Sequence, residues 1–565
     1  MGKRVLIVGG VAGGASVAAR IRRLDESAQV IMFERGPHVS FSNCALPFYL
    51  SGTVASSEKL VLMSPERFQK QYAIQAYVNH EVTAVNRTEK TITVKDLVSG
   101  KEREEAYDVL VLSPGAVPVV PDSIRGVRSS HVFTIRNVVD IKYLKDYVDA
   151  NQVKEVTVAG GGFIGIEVTE NLAKAGVHVT LVEASNQVMA PFDYDMAQIL
   201  HKELMDQGVN LITGDGIAEI TGSQVILQSG EKIDSGCVVM AIGVKPETTL
   251  AKAAGLEIGE TGGILVDHNY QTSDPSIYAV GDAIEVYHQL THRPARLALA
   301  GPAQRQARAA ADHIYGIPHQ NKGVIGSSCI RVFRQNAAST GLSVKAAKQA
   351  GIPCDFVYIL PADRVSVLPG SHPMHFKLVY EVPTGRILGA QAIGMGAVDK
   401  RIDVIAAMIT MKGTLEDLKE LELCYSPVFG TAKDVVNHAA LVALNLLYGR
   451  FRQVPVTQVR ELVEQNACII DVREPGEYAA GHLLNAVNIP LSQLRQRAGE
   501  IPKDRPVYLH CRSSQRSYNA IMALQGMGYH NLYNISGSYL GICCYEYYMD
   551  QKTGRKKIVT EYNFK

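Results

Sequence analysis

Cys44 is the first residue of the chain whose surroundings favour thiol chemistry. It lies in residues 40–49, SFSNCALPFY, with polar residues before it and an apolar run after it. A thiol placed where a loop turns into a helix can have its pKa lowered by the positive end of the helix and then react as the thiolate. The next cysteine is Cys237, so a redox centre at Cys44 would work alone with an external sulfur compound. The alternative is a buried cysteine that packs as a small hydrophobic residue.

A second thiol, Cys511, ends a predicted strand at residues 507–511 and precedes a polar loop that leads into a helix. The backbone N–H groups of such a loop form a concave anion site, and Arg512 and Arg516 add positive charge to it. The loop therefore predicts a site for a thiolate or persulfide on Cys511. We expect the adjacent cysteines at 543 and 544 to pack rather than to relay sulfur.

Two stretches of the chain have the strand, glycine turn and helix pattern that binds dinucleotides. In the first, the predicted strand 4–8 leads into a turn, and the next strand, 29–34, ends in Glu34, twenty residues after the turn. This pattern places a pyrophosphate at the helix N-terminus and ribose hydroxyls on the carboxylate. Val11 replaces the middle glycine of the motif, and a tight turn without a ligand is the alternative. The glycines predicted to bind the cofactor are Gly9, Gly13 and Gly14.

The second stretch matches the G-x-G-x-x-G motif fully, between the predicted strands 155–159 and 178–183. Two such units about 150 residues apart imply two dinucleotides, FAD first and a nicotinamide second. Glu183, at the end of the second strand, is predicted to bind both ribose hydroxyls and to repel a 2′-phosphate, which favours NADH over NADPH. The alternative is a solvated carboxylate. The turn glycines are Gly160, Gly162 and Gly165.

Two further features concern the flavin. Phe163 follows the second turn and is predicted either to shield the flavin face until the nicotinamide displaces it or to belong to the core. A strand predicted to end at Gly281 is followed by Asp282, which can hydrogen-bond the ribityl chain; a simple turn is the alternative. The predicted domains are residues 1–112 and 244–320 for the flavin, and residues 113–243 for the nicotinamide.

Length and composition limit the remaining possibilities. The chain has 565 residues, 46% hydrophobic and 20% charged, which is an ordinary globular composition, and the length suggests three or four domains. A net charge of +1 gives no indication of a nucleic-acid partner or an anionic membrane surface. Nine cysteines without a framework spacing predict a reducing, cytoplasmic compartment. No apolar segment is long enough to span a bilayer, and no metal site is predicted.

These motifs resemble the pyridine nucleotide-disulfide oxidoreductases of the single-cysteine branch, above all the coenzyme A disulfide reductases. The resemblance covers about the first 445 residues and implies a dimerisation domain at residues 325–445. In that family a tyrosine of one subunit of a homodimer reaches the cysteine of the other, which makes Tyr425 a general acid for a leaving thiolate. An ordinary interface tyrosine is the alternative. The matching segments are residues 11–14, 40–47, 399–403 and 424–429.

The same resemblance implies a binding site for coenzyme A near Cys44. Basic groups for the phosphates of coenzyme A would be Arg23 and Lys70, although isolated basic residues are usually only solvated. Ser40 and Asn43 flank the cysteine as further substrate-binding residues. The family's paired tyrosines are replaced by Val367 and Leu368, which removes a hydroxyl expected near the reacting sulfurs.

The C-terminal part resembles a rhodanese domain at residues 456–565, after a predicted linker at residues 446–455. The resemblance rests on Asp-Val-Arg at 471–473, Gly-His-Leu at 481–483 and the loop from Cys511 to Ser517. Ser514 stands where the family has a loop glycine. An inactive rhodanese fold is the alternative, but such domains usually lack the cysteine.

The whole chain thus resembles fused coenzyme A disulfide reductase and rhodanese proteins, including persulfide reductases. The predicted fold is two doubly wound nucleotide-binding domains, an α+β dimerisation domain and a small α/β rhodanese domain. The predicted function is NADH-dependent and FAD-dependent reduction of persulfide or polysulfide sulfur, with coenzyme A as carrier. The alternatives are reduction of coenzyme A disulfide alone, an NADH peroxidase or oxidase, and a non-catalytic redox sensor or sulfur carrier.

Overall fold

The structure, a computed structural model, describes residues 2–564 and divides them into two compact units. The first unit contains residues 2–186 and Ile212–Val324. The second contains Gln187–Leu211 and residues 325–564. Within residues 2–564, no helix combines the length and apolar character needed to cross a membrane.

The first sheet of the first unit is parallel and has the predicted strands 4–8 and 29–34 at its centre. Helices Ala12–Leu24 and Ala300–Ile314 pack together on one face, where buried aliphatic side chains form a core. An antiparallel three-stranded layer shares a second core with the other face. The sheet runs Ile277–Ala279, Val109–Leu112, Arg4–Val8, Gln29–Glu34 and Gln75–Val78. The covering layer is His80–Asn86, Thr91–Asp96 and Glu102–Ala106.

The second sheet of this unit repeats the pattern around the predicted strands 155–159 and 178–183. Two short antiparallel strands join the two doubly wound domains: the chain leaves the first domain through Ala116–Pro118 and returns to it through Val244–Pro246. The order is Asn210–Thr213, His178–Glu183, Glu155–Ala159, Cys237–Met240 and Val132–Phe133. Its helices are Val138–Ala150 and Phe163–Lys174, and a small sheet is formed by Ile217–Ile220, Gln224–Leu227 and Lys232–Asp234.

Shorter elements complete the first unit. They are the helices Pro65–Tyr72 and Thr249–Ala253, the 3₁₀ helices Asn43–Tyr49, Ser57–Leu60 and Gly281–Ala283, and the strand pair Val286–Tyr287 and Pro294–Ala295.

The second unit begins with an antiparallel sheet, as an α+β dimerisation domain requires. The sheet order is Ser328–Val332, Gln335–Gly341, Ile387–Gly394, His375–Glu381 and Cys354–Ile359. The helices are Tyr194–Asp206, Val344–Gln349, Val398–Thr410, Leu415–Glu420 and Val435–Leu447.

Residues 187–211 fall in this unit, although the sequence places them in the nicotinamide domain. The ammonium group of Lys377 is buried and donates to Asp195 at 2.8 and 2.9 Å and lies 3.1 Å from Asp193. Buried charges that are fully paired hold such a segment in place, because separating them would leave an unpaired charge in the core.

The rest of the second unit is a parallel five-stranded sheet covered by helices. Its order is Gln453–Val454, Leu532–Ile535, Val507–His510, Cys468–Asp471 and Ala486–Asn488. Its helices are Val459–Glu464, Pro475–Ala479, Leu494–Arg497, Gln515–Gly526 and Ser538–Thr553, with 3₁₀ turns at Val456–Gln458 and Ala498–Glu500.

The predicted linker at residues 446–455 is mostly structured. Helix Val435–Leu447 covers its beginning, Phe451 is buried in the core of the parallel sheet, and Gln453–Val454 is a strand of that sheet. Gln453 also donates a hydrogen bond of 2.7 Å to the carbonyl of Phe356. The C-terminal domain is therefore attached by a few residues and contacts the dimerisation domain directly.

Candidate active site

The first glycine turn has the backbone geometry that a pyrophosphate site needs. Gly9 has a φ of 95°, and a Cβ on Gly14 would overlap the carbonyl oxygen of Gly9. A Cβ on Gly13 would overlap the hydroxyl of Ser113, so this glycine lets the helix approach the end of the neighbouring strand. The turn leads into a helix of thirteen residues, Ala12–Leu24, whose N-terminus favours a bound phosphate.

Glu34 and Glu183 occupy equivalent places in the two dinucleotide units. The Glu34 carboxylate accepts hydrogen bonds from the N–H groups of Gly10 at 2.9 Å and Gly36 at 2.8 Å. Glu183 likewise accepts a hydrogen bond from the N–H of Gly161 at 2.7 Å. Each carboxylate is therefore hydrogen-bonded to the backbone of its own glycine turn. This is the position from which a carboxylate binds ribose hydroxyls.

The second turn repeats the close approach of backbone to backbone. Gly160 has a φ of 104°, and a Cβ on Gly165 would overlap its carbonyl oxygen. Gly162 is exposed and faces open space, which leaves room for a pyrophosphate at the start of helix Phe163–Lys174. Phe163 itself is half-buried. Both turns therefore fit a dinucleotide.

The structure brings the second flavin motif to the first glycine turn. The predicted strand ends at Ala279, two residues earlier than expected, and Gly281 donates to the side-chain oxygen of Gln306 at 2.8 Å. A Cβ on Gly281 would lie 3.7 Å from the Ser113 hydroxyl, which also abuts Gly13. Asp282 follows in a half-buried place, and burial raises the pKa of its carboxyl. These residues fit the predicted FAD site.

Cys44 lies in a 3₁₀ helix, Asn43–Tyr49, that packs against both helices of the nicotinamide domain. The thiol side chain is exposed, whereas Leu46 and Pro47 behind it are buried. Downstream, the hydroxyl of Ser51 donates to the side-chain oxygen of Asn171 at 2.7 Å, which ties the segment to helix Phe163–Lys174. The cysteine segment is thus held beside the helix that follows the second glycine turn.

The expected lowering of the Cys44 pKa by the helix N-terminus is wrong for the protein alone. Partial burial raises the pKa of the thiol, and the nearby carboxyls of Glu167 and Asp282 raise it further. A 3₁₀ helix of seven residues has a small dipole, so two carboxylates outweigh it.

Glu167 is a site residue that the sequence analysis missed. It follows Phe163 by four positions and precedes Asn171 by four, so the three side chains share one face of the helix. Burial, with a smaller contribution from Glu170, raises the pKa of its carboxyl to about 7. The four-residue spacing from Phe163 could have indicated that Glu167 lies on the same helix face. Only the packing of the cysteine segment on helix Phe163–Lys174 shows that this face lies near Cys44.

The predicted coenzyme A residues lie on two neighbouring helices and on the segment before Cys44. Buried Arg22 donates to the carbonyls of Tyr72 and Ala73, both at 2.8 Å, and thereby joins helices Ala12–Leu24 and Pro65–Tyr72. Arg23 and Lys70 are exposed on these two helices, where basic groups can reach a phosphate.

Ser40 and Asn43 are positioned by the backbone around the first turn. The N–H of Ser40 donates to the carbonyl of Gly10 at 2.8 Å, and its carbonyl accepts from Leu62, also at 2.8 Å. Asn43 is the first residue of the 3₁₀ helix. Both residues are therefore adjacent to the thiol and to the first dinucleotide turn.

Tyr425 lies in an exposed segment of the dimerisation domain. Its side chain is 51% exposed, and the nearby Phe429 and Val428 are 69% and 54% exposed. Val367, which replaces a family tyrosine, is 84% exposed in another loop of the same domain. Exposed apolar side chains of this kind are typical of a surface that a second protein covers.

Cys511 is buried at the end of strand Val507–His510, and the following loop surrounds its sulfur. The Ser517 hydroxyl donates to Sγ at 3.8 Å. The cysteine N–H donates to the Ser538 hydroxyl oxygen at 3.2 Å, and its carbonyl accepts from Tyr539 at 3.0 Å. The thiol is thus fixed by the loop and by the start of the last helix.

Positive charge is present beside this sulfur, as predicted. Arg516 donates to both carboxylate oxygens of Glu477, at 2.6 and 2.7 Å, and this pair, with a smaller contribution from Cys511, raises the pKa of Arg516. Arg512 is half-buried, and burial lowers its pKa. Ser514 adopts a φ of 73°, the conformation of the glycine it replaces.

The Asp-Val-Arg motif at residues 471–473 packs against the start of the last helix. Arg473 is buried, pairs with Asp471 at 2.6 Å and lies 4.0 Å from the ring centre of Tyr539.

Cys543 and Cys544 are buried on the last helix, and burial raises their pKa values to about 11 and about 12. These values are those of unreactive, packed thiols.

Comparison with known proteins agrees with this architecture. The sequence matches the family pyridine nucleotide-disulphide oxidoreductase over residues 3–307, its dimerisation domain over residues 328–435 and the rhodanese-like domain over residues 455–543. The coenzyme A disulfide reductase of Staphylococcus aureus (strain JH9) is 32% identical over 437 residues, which are 77% of this chain and 98% of that protein.

Two solved structures extend over nearly the whole chain. The crystal structure of reduced Bacillus anthracis CoADR-RHD is 42% identical with a TM-score of 0.93, and the match covers 96% of this chain and 98% of that one. A NAD-dependent persulfide reductase from A. fulgidus is 32% identical with a TM-score of 0.91, covering 95% of this chain and 99% of that one. These similarities confirm the predicted fold class and resemblance. The chain belongs to the pyridine nucleotide-disulphide oxidoreductase family and carries a rhodanese-like domain after its dimerisation domain.

Proposed function

We propose that this chain uses NADH to reduce persulfide sulfur carried by coenzyme A or a similar thiol, and that its rhodanese domain handles sulfane sulfur. The observation that carries the proposal is an exposed single thiol, Cys44, on a segment packed against helix Phe163–Lys174 of the second dinucleotide unit, in a chain that also holds Cys511 beside Arg516. Similarity to a persulfide reductase and to a CoADR-RHD protein over nearly the whole chain supports it.

The chain's part in cofactor chemistry is to bind and orient. Bound FAD supplies the two-electron chemistry that links NADH oxidation to sulfur reduction. The first turn, Glu34 and Asp282 would hold the flavin nucleotide. Glu183 would bind the ribose of NADH and repel the 2′-phosphate of NADPH.

The sulfur chemistry at Cys44 can be written as a balanced exchange. The Cys44 thiolate attacks the inner sulfur of coenzyme A persulfide, a disulfide between Cys44 and coenzyme A forms, and hydrosulfide leaves. The hydride equivalent of NADH then returns that disulfide to the Cys44 thiolate and the coenzyme A thiol. The sum converts coenzyme A persulfide and NADH to coenzyme A, hydrosulfide and NAD⁺.

Two side chains are assigned to proton handling in this proposal. Tyr425, supplied by the other subunit of a homodimer, donates its phenolic proton to the leaving sulfur and regains one from water. Glu167 holds a proton near Cys44 at neutral pH, because the pKa of its carboxyl is raised to about 7 by burial.

The rhodanese domain would supply the persulfide. The Cys511 thiolate takes the outer sulfur of a donor such as thiosulfate, releases sulfite and becomes a persulfide. It then passes that sulfur to the coenzyme A thiol, and coenzyme A persulfide leaves. Arg516 and the Ser517 hydroxyl would stabilise the anionic sulfur in the loop.

Reduction of coenzyme A disulfide is the second candidate function, and the name of the Staphylococcus aureus relative favours it. The same steps apply, with a coenzyme A thiolate leaving in place of hydrosulfide. A peroxidase or oxidase is disfavoured, because the first turn holds Val11 and Ala12 where such enzymes of this fold carry a histidine. Family membership makes the chain an oxidoreductase, which disfavours a sensor or simple carrier.

The proposal places a homodimer in the cytoplasm. The dimerisation domain and its exposed Tyr425, Val428 and Phe429 support the dimer. Nine free cysteines and no disulfide among residues 2–564 suit a reducing compartment.

A comparison of two substrates tests the proposed function. We expect kcat/KM for coenzyme A persulfide to exceed that for coenzyme A disulfide by at least about tenfold, because Val367 and Leu368 have removed the hydroxyls that would serve the bulkier disulfide. NADH oxidation is followed at 340 nm with each substrate. A clear advantage for coenzyme A disulfide would favour the second candidate.

A further inference from the structure

Arg401 is a buried arginine in helix Val398–Thr410 that bonds two loops of the dimerisation domain. Its side chain is 2% exposed. One terminal nitrogen donates to the carbonyls of Asp363 and Phe429, both at 3.2 Å, and to the carboxylate of Asp434 at 3.1 Å. A single guanidinium group thus joins three separate segments of the chain.

The first loop, residues 363–372, carries Val367 and Leu368 at its tip. Its ends are held by two hydrogen bonds of 2.9 Å: the N–H of Asp363 donates to the carbonyl of His372, and the N–H of His372 donates to the carboxylate of Asp363. Asp363 is buried, and a Cβ on the adjacent Gly396 would overlap its carboxylate. The base of the loop therefore cannot shift without moving Arg401.

The second loop, residues 424–430, carries Tyr425. A turn closes it, with the N–H groups of Phe429 and Gly430 donating to the carbonyl of Ser426 at 2.9 and 3.1 Å. A Cβ on Gly430 would lie 3.2 Å from the terminal nitrogen of Arg401, so the guanidinium packs directly against the turn. No hydrogen bond of this loop to the first loop is present among the described contacts, and Arg401 is the bridge.

We propose that Arg401 is a positioning residue that fixes the two loops together and thereby sets the place of the Tyr425 hydroxyl. This inference rests on the proposed role of Tyr425 as general acid. The first loop carries Val367 and Leu368 at its tip and no phenol, so Tyr425 is the phenol that the two loops hold. The guanidinium suits this place because its long side chain brings a charged N–H donor group to the buried point where the carbonyls of Asp363 and Phe429 and the carboxylate of Asp434 meet.

The kinetic signature of a positioning residue is a loss of rate that depends on the residue it positions. A lysine at 401 keeps the positive charge but lacks the planar guanidinium that packs against the turn at Gly430. We expect Arg401→Lys to lower kcat for coenzyme A persulfide about tenfold and to leave KM within about twofold, because the acid is misplaced while the thiol site is intact. Tyr425→Phe should lower kcat about a hundredfold.

The double variant is the decisive sample. In the Tyr425→Phe background, Arg401→Lys should change kcat by less than about twofold, since no phenol remains to be positioned. Hydrogen exchange of residues 363–372 and 424–430 should rise in Arg401→Lys whether or not Tyr425 is present. Arg386→Lys, which changes an ion pair with Glu381 far along the chain from both loops, is the matched control and should keep the wild-type kcat.

Each outcome separates the inference from the proposed function. The same tenfold loss in both backgrounds, or a wild-type kcat for Arg401→Lys, overturns the positioning role and leaves the proposed reaction standing. A wild-type kcat for Tyr425→Phe overturns the role of Tyr425, and with it this inference. If Arg401→Lys does not fold, Asp434→Asn replaces it. We expect Asp434→Asn to lower kcat about threefold when Tyr425 is present and not in the Tyr425→Phe background. An equal loss of kcat in both backgrounds overturns the inference.

Discussion

Cys44 is partly buried and has two acidic groups nearby, and both features disfavour its thiolate, burial more than the charges. Glu167 and Asp282 add to partial burial in raising the pKa of Cys44. A helix N-terminus alone would have lowered it. A bound cofactor or substrate must therefore favour the thiolate. Among the nearby groups, Glu167 is the one whose charge changes near neutral pH, because its pKa is raised to about 7.

Replacing Glu167 with glutamine should make the Cys44 thiolate easier to form. The carboxyl has its pKa raised to about 7, so it is neutral below that pH and becomes negatively charged above it. The variant removes this charge, and the midpoint of Cys44 alkylation should move to lower pH. The measurement is the rate of alkylation against pH in the purified protein, with the exposed Glu155→Gln as control. An unchanged midpoint would mean that Glu167 does not act on Cys44.

Glu183 should decide between the two nicotinamide cofactors. Its carboxylate faces the ribose position beside Gly161 and would repel a 2′-phosphate. We expect the wild type to prefer NADH, and Glu183→Arg to narrow or reverse the preference by at least about tenfold. The ratio of kcat/KM for NADH and NADPH measures this. Equal values for both cofactors in the wild type would contradict the assignment.

At the scale of elements, the loop after Cys511 holds Ser514 in the left-handed backbone region that favours glycine. Ser514 has a φ of 73°, and its hydroxyl oxygen lies within hydrogen-bond distance of the carbonyl of Ile535, at 3.2 Å, and of Ser538 Oγ, at 3.0 Å. These bonds offset the strain of a side chain in the left-handed region.

We therefore expect Ser514→Gly to change the stability of the protein little and Ser514→Val to lower it clearly. Ser514→Gly should change the free energy of unfolding by less than about 1 kcal/mol and keep sulfurtransfer, because relieved strain and lost hydrogen bonds offset each other. Ser514→Val should destabilise the protein by about 2 kcal/mol, since a branched residue tolerates this conformation poorly. Thermal unfolding of the three proteins checks both values; a strongly destabilised Ser514→Gly would show that the hydroxyl dominates.

At the scale of the whole molecule, the rhodanese domain is attached firmly to the dimerisation domain. Strand Gln453–Val454 belongs to its sheet, and a Cβ on Gly537 would lie 2.6 Å from the ring of Tyr358. Within the second unit, the rhodanese domain therefore packs directly on the dimerisation domain.

Cys511→Ser should separate the two activities of the chain. It should abolish sulfurtransfer from thiosulfate to cyanide and slow NADH-linked reduction of polysulfide by about tenfold, because the local supply of persulfide is lost. Reduction of a simple disulfide should stay nearly unchanged, since it needs only Cys44 and the cofactors. If sulfurtransfer is lost while the polysulfide rate stays complete, the two domains act separately.

The strands that position both dinucleotides were predictable to the residue. Arg4–Val8, Gln29–Glu34, Glu155–Ala159 and His178–Glu183 are where the sequence placed them, because a continuous apolar run before a glycine turn has few other solutions. These motifs are local. The acidic side chains around Cys44 and the loops joined by Arg401 could not be predicted, since their parts are distant in sequence and meet only through packing.

The most direct test of the account is the Cys44→Ser variant. The proposal assigns flavin binding to Gly9, Glu34 and Asp282 and not to the thiol, so we expect the purified variant to retain FAD and to be reduced by NADH at the wild-type rate. It should not turn over coenzyme A persulfide or coenzyme A disulfide above about a hundredth of the wild-type rate, because no thiolate is present to form the mixed disulfide. Turnover of either substrate at the wild-type rate would contradict the assignment of Cys44 as the sulfur-reducing centre.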